Sequence, residues 1–133
     1  MNETVKEYAK THKVLTLQIT KKNFNDIKDG IQKVEHRYIY PSNANRYVIQ
    51  EEEFDKNGEF VRMLVTPVHY DALYLINGRR KEAPRMLIKV EDAEFILCVD
   101  EDGNELTFEQ EGETYYECQV WYHLGKVLDL ENC

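Results

Sequence analysis

Short runs of alternating apolar and polar residues dominate this chain, and they predict strands more often than helices. The first run is Val14–Ile19, where Leu15, Leu17 and Ile19 alternate with Thr16 and Gln18. Thr20 then suits a helix N-cap, and Phe24, Ile27 and Ile31 recur at helical spacing, so a short helix is expected over residues 21–29. Gly30 falls where a left-handed residue commonly stops a helix. Gln32–Ile39 alternates again. Its parity puts Lys33, Glu35 and Arg37 on one strand face, with Val34, His36 and Tyr38 on the other and Gln32 turned away from Lys33.

Further along, residues 43–50 fit either a brief helix or a strand. Asp55-Lys56-Asn57-Gly58, between Tyr47–Phe54 and Glu59–Val65, is a hairpin turn signal. Ala72–Ile76 is apolar throughout, as a strand buried on both faces would be. Asn77-Gly78 ends it, the basic loop Arg79-Arg80-Lys81 follows, and Met86–Val90 resumes the strand pattern. Glu94–Val99 and Glu105–Glu109 flank a second turn at residues 100–104. Thr114–His123 reads as one long aromatic-rich strand, punctuated by Gly125 before Val127–Leu130. The fold class expected is mainly β (α+β): a small, mostly antiparallel β-barrel with one or two short helices, the first inserted after strand 1. Residues 1–12 form an N-terminal arm, loose or briefly helical, and residues 13–133 a single domain.

Composition narrows the class without naming an activity. With 42% hydrophobic and 32% charged residues over 133, the chain is too apolar to be a disordered tail. No apolar run approaches the roughly 20 residues that span a bilayer, and the N-terminus lacks a signal-peptide stretch, so no membrane partner is expected. Cys98, Cys118 and Cys133 form no CxxC pair and suit reduced thiols in the cytoplasm. His12, His36, His69 and His123 show no ligand spacing, so neither metal nor cofactor is expected. Phosphate-loop, dinucleotide and nucleophile-elbow motifs are all missing. The net charge of −8 divides unevenly: residues 91–133 carry 13 acidic residues and one basic, net −12, and residues 1–90 carry 16 basic and 12 acidic, net +4. That balance excludes a nonspecific nucleic-acid coat but leaves room for a local basic face.

The run Leu15–Phe24, followed by Ile27-Lys-Asp-Gly30-Ile-Gln-Lys-Val-Glu35-His-Arg37, resembles the opening of ASCH domains, a branch of the PUA-like barrel superfamily. The family pattern is a strand, a short helix and Gly-x-Lys-x-x-Glu-x-Arg, and Gly30, Glu35 and Arg37 stand at its offsets. Tyr70–Gly78 and Val120–Val127 resemble the middle and final strands of compact phage- and Bacteroides-type ASCH-like proteins. The likeness spans most of residues 14–130 and is specific over 15–37. Gln32 stands where the family has Lys, and no Gly-Asp turn follows the motif strand. Some family members resemble amidohydrolases that deacylate a modified cytidine with that Lys in their reactive set. Those members carry Thr where this chain has Glu35.

The resemblance implies a PUA-like barrel that binds RNA, a nucleotide or a modified base in a basic cleft behind Gly30–Arg37. Gly30 would turn the chain and bring backbone N–H groups to the ligand. Glu35 would accept from a base edge and Arg37 would hold phosphate. Lys21, Gln32, Lys33, Arg79, Arg80 and Arg85 complete the candidate site, with Lys22, Lys28 and Lys81 on its rim. Among Tyr38, Tyr40, Tyr47, Tyr74 and Trp121 are rings able to stack a base. The alternatives are an amidohydrolase acting on an N4-acetylcytidine-like nucleoside, and a protein-interaction module without a small-molecule site. A plainer role stands beside each feature: Glu35 and Arg37 as cross-strand ion-pair partners, the arginine loop as solvated surface, the aromatic strand as core.

Overall fold

The computed structural model describes residues 1–133. The chain is mainly β, with nine strands and three helices in the order α1 (Glu3–Thr11), β1 (Val14–Gln18), α2 (Lys21–Lys28), β2 (Val34–Ile39), α3 (Ala44–Tyr47), β3 (Val48–Phe54), β4 (Phe60–Pro67), β5 (Ala72–Ile76), β6 (Arg85–Leu97), β7 (Thr107–Gln110), β8 (Glu113–Tyr116) and β9 (Cys118–Glu131). Two compact units divide it. The first comprises Met1–Glu35, His69–Asp92 and Tyr122–Cys133, and the second His36–Val68 and Ala93–Trp121.

The main sheet has the order β1-β5-β6-β9-β2, and β2, β6 and β9 have residues in both units. This order is open, ending at β1 and β2, where the strand pattern had suggested a barrel. Nor is the sheet wholly antiparallel, because β1 runs parallel to β5. A parallel pair needs a long connection, and the chain between these strands supplies one.

In the first unit, β1 keeps its period of two: Leu15, Leu17 and Ile19 are buried while Thr16 and Gln18 are exposed. The Thr20 side chain caps α2 by accepting from the Asn23 N–H, and the helix buries Phe24 and Ile27. Strand β5 is buried at every residue. One of its faces, Ala72, Tyr74 and Ile76, packs in a cluster with Val5, Ala83 and Leu87, flanked by Tyr8, Val14 and Leu128. On its other face Leu73 and Leu75 pair with Ile88 and Met86 of β6, all buried. Residues 3–11 are a helix of this unit, capped by the Asn2 side chain, which accepts from the Val5 N–H at 2.9 Å and donates to Asp129 at 2.7 Å.

The second unit is built from hairpins. Asp55 Oδ1 accepts from the N–H groups of Asn57 and Glu59 at 2.8 and 3.0 Å, closing the β3–β4 turn. Asp100 makes the same kind of turn, accepting from the N–H groups of Asp102 and Asn104 at 2.9 Å each. These backbone donors, the Asn104 N–H foremost, hold the Asp100 carboxyl below the usual carboxylate range. Residues 43–50 resolve into α3 followed by β3.

Three boundaries differ from the periodicity, the first being that the runs 86–90 and 94–99 are joined in one continuous strand, β6, which ends at Leu97. The aromatic run 114–123 is not one strand: β8 ends at Tyr116 and β9 starts at Cys118, because Glu117 bonds aside to Leu106 and Cys98. Strand β8 forms a hairpin with β7 around Glu111 and Gly112, both at positive φ (52° and 81°). That pair of left-handed residues suits a primed turn, but Glu is a rare choice for the position and gives no signal in sequence. Gly125, for its part, lies inside β9 and does not end it.

Asp71 joins β1 to β5 through its carboxylate, which accepts from the Lys13 N–H at 2.7 Å and meets His69 Nε2 at 3.0 Å. These two bonds, the Lys13 amide first, lower the Asp71 pKa. A depressed carboxyl contributes stability that is present above its unfolded value, near pH 3.9, and lost as pH falls through the folded value. The acid limb of unfolding should therefore be shallower in Asp71→Asn than in wild type, measured as urea midpoint against pH from 6 to 2. Leu73→Ala, at a fully buried position, should cost about 2–5 kcal/mol, against about 0.5 or less for Phe60→Ala at an exposed one, both read by urea unfolding.

Candidate functional site

The α2–β2 junction is where the motif residues lie. Helix α2 ends at Lys28, and Gly30 follows at φ +76° with open space where a Cβ would stand. The Gly30 N–H donates to the Ile27 carbonyl, and the N–H groups of Ile31 and Gln32 both donate to the Asp26 carbonyl. The glycine thus lets the chain fold back over the end of the helix. It does not offer backbone N–H groups to a ligand, because the helix carbonyls already take all three.

A cavity of about 300 Å3 opens at this junction within the first unit. Lys28, Gly30, Gln32 and Lys33 line one side, and Ile27, Ile88 and Leu124 contribute apolar floor. Gln32 and Lys33 share the cavity although parity had separated them. The strand begins only at Val34, so period-two alternation does not reach back to either residue. Gln32 Nε2 donates to the Val34 carbonyl at 2.9 Å, and the Lys33 carbonyl accepts from the Leu124 N–H at 2.9 Å, which ties the junction to β9.

On β2 the alternation holds. Glu35 and Ile39 are buried and Arg37 is half-buried, while His36 and Tyr38 are exposed. Glu35 and Arg37 share a face as expected, but Lys33 does not join them: it is exposed and precedes the strand. Glu35 is only 4% exposed, a rare degree of burial for a carboxylate.

The remaining candidates do not line this cavity. Lys21 stands at the opposite end of α2 from Lys28. Arg79 and Arg80 are exposed in the loop after β5, and Arg80 lies 4.0 Å from Glu82. Arg85, at the start of β6, is engaged with Tyr74, whose hydroxyl donates to Glu131. Burial first, then that carboxylate, raises the Tyr74 pKa. Arg37 belongs to the second unit. Of the rings proposed for stacking, Tyr47 and Tyr74 are buried in the core and closed to a base, and Trp121 is half-buried with its edge against His36. Tyr38 and Tyr40 are exposed, with centroids 6.3 Å apart.

Gly125 is the cavity residue that periodicity misread. A Cβ there would lie 2.9 Å from Glu91 Cδ and 3.0 Å from Cγ, so the glycine makes room for the Glu91 side chain. Glu91 itself does not line the cavity, and Lys89 lies 3.8 Å from it. No group of His, Cys, Asp and Glu is arranged to hold a metal ion, and no helix is long and apolar enough to cross a membrane. No family model matches this chain, and no curated protein or solved structure does either.

The two glycines should respond differently to alanine. Gly30→Ala meets no atom but must hold a left-handed backbone, so it should lose roughly 1 kcal/mol in urea unfolding, a loss no neighbour can relieve. The loss in Gly125→Ala comes from displacing Glu91, so adding Glu91→Ala should recover most of it.

Proposed function

We propose that this chain is a small binding module for RNA, or for a nucleotide or modified base, of the ASCH-like, PUA-related kind, and that it acts through the α2–β2 junction. The observation that carries the reading is the make-up of the junction cavity: Lys28, Lys33 and the Gln32 amide over a floor of Ile27, Ile88 and Leu124. An apolar floor accepts the face of a base, an amide reads its edge, and ammonium groups attract phosphate. At about 300 Å3 the cavity is at the small end of ligand sites, which suits one base rather than a folded element.

Charge supports the same reading. The first unit holds 13 basic and 11 acidic residues, net +2, and the second holds 4 basic and 14 acidic, net −10. A polyanion is therefore drawn to the unit that carries the junction and repelled by the other. Support for the family relation is the order β1, α2, Gly30, β2, which follows the pattern of the resembling segment. Three free cysteines fit a reducing cytoplasm. Hydrolysis gains nothing from position 32: its glutamine amide cannot act as a titratable base, and its Nε2 is held by the Val34 carbonyl.

Fluorescence anisotropy with a labelled single-stranded RNA decamer tests the proposal. Wild type should bind, with affinity falling as salt rises. Lys28→Ala/Lys33→Ala should weaken binding and flatten the salt slope by about 0.7 for each phosphate no longer neutralised. Arg79→Ala/Arg80→Ala should change it less. Absence of salt-sensitive binding, or a junction variant that binds like wild type, would sink the proposal.

A further inference from the structure

The second unit contains a larger cavity, about 610 Å3, which the RNA reading leaves unused. It is assembled from the end of β2, α3, β3, β4, β6 and the β7–β8 hairpin, so segments distant in sequence converge on it. Its aromatic wall is mutually braced. Tyr40 sets an edge on Phe108 at 5.8 Å, and Phe108 stacks on Tyr115 at 5.7 Å with the rings 28° apart. Rings fixed this way present faces that need no reorganisation to receive a flat molecule.

Not one lining residue is charged, although the unit around the cavity carries 14 acidic side chains and 4 basic ones. Polar contacts are confined to a few neutral groups, among them the amides of Asn45 and Gln50. At about 610 Å3 this open cleft falls within the size range of small-molecule sites. The surrounding net charge of −10 disfavours any anion, and the lining offers no cation to offset it.

We propose that this cavity binds a planar, uncharged, largely apolar organic molecule, stacked against the Tyr40–Phe108–Tyr115 wall and oriented through one polar substituent by Asn45 or Gln50. The site is independent of the α2–β2 junction and selects by shape and by the absence of negative charge.

A matched pair of fluorescent probes tests this on the full chain: N-phenyl-1-naphthylamine, which is neutral, and its 8-sulfonate, 1-anilino-8-naphthalenesulfonate, which is anionic. The neutral probe should bind saturably at one per chain, and the sulfonate about tenfold or more weaker, the gap narrowing as salt screens the unit's charge. Cys118 lines the cavity and Cys133 is exposed, so the wild-type chain carries its own footprint. Burial first, then Cys98 and Glu117, raises the Cys118 pKa, so labelling with N-ethylmaleimide is run at pH 8.5. The neutral probe should slow modification of Cys118 at least severalfold and leave Cys133 unchanged, as resolved by peptide mass spectrometry. Ala44→Phe, which fills the cavity, should abolish probe binding while thermal unfolding shows a folded chain. The proposal fails if the sulfonate binds as tightly as the neutral probe, or if Cys118 is unprotected at probe saturation. It fails also if light scattering shows the probe displacing a second copy of the chain.

Discussion

Lys13 and Asp71 hold each other from both sides, and the first unit depends on that grip. The Lys13 N–H donates to the Asp71 carboxylate at 2.7 Å, the Asp71 N–H donates to the Lys13 carbonyl at 2.8 Å, and the Asp71 carbonyl accepts from the Val90 N–H at 2.9 Å. These bonds bind together residues 58 apart in sequence, at the point where β1 and β5 begin and beside the middle of β6. Closing a loop of that length costs roughly 3–4 kcal/mol in chain entropy before any contact offsets it. Burial of Leu15, Leu17, Leu73 and Leu75, each worth about 1.5–3 kcal/mol, exceeds that cost. Burial of the alternate leucines disfavours a one-residue slip. The Lys13–Asp71 bonds fix where the pairing starts, aligning Val14 with Ala72 and the later pairs up to Gln18 with Ile76.

The far end of the same ladder prepares the candidate site. The Ile19 N–H donates to the Ile76 carbonyl at 3.0 Å, and the Asn77 amide returns a bond to the Ile19 carbonyl at 2.9 Å. With β1 closed off there, Thr20 is placed to cap α2, and eight helical residues bring Lys28 and Gly30 to the junction cavity. A slip of one residue in β1 would exchange its buried leucines for Thr16 and Gln18. It would also turn α2 away from the sheet.

Local features were legible in the sequence wherever one chemical preference acted alone. The Thr20 cap, the left-handed Gly30, the Asp55 turn and the two-sided burial of Ala72–Ile76 each follow from side-chain type and short spacing. Where a distant residue decides, the pattern misleads. Gly125 looks like a strand end because glycine weakens strands, yet here it is what allows Glu91 to lie across β9. Gln32 and Lys33 look like opposite strand faces because nothing nearby announces that Asp26 draws the Gln32 amide back toward the helix. The parallel β1–β5 pair has no local signature either, since its partners are separated by the whole of α2, β2 and the β3–β4 hairpin. The candidate cations show the same limit. Runs of basic residues are visible in sequence, but that Arg85 answers to Tyr74 and Lys33 to a cavity is a property of the fold.

The division of charge makes the two cavities chemically distinct. The first unit has a net charge of +2, and two lysines, Lys28 and Lys33, line its cavity. In the second unit six of the 14 acidic residues sit exposed in turns at 55–59 and 100–105, and no acidic side chain lines the cavity, whose wall is aromatic and neutral. Those carboxylates oppose, by mutual repulsion between copies, the self-association of a unit rich in exposed apolar residues, Phe54, Phe60 and Tyr116 among them. They do so without entering the cavity, where an unpaired charge would be costly to desolvate. The acidity of the second unit thus has a physical role apart from any ligand. It offsets, in water, the exposed apolar surface of that unit.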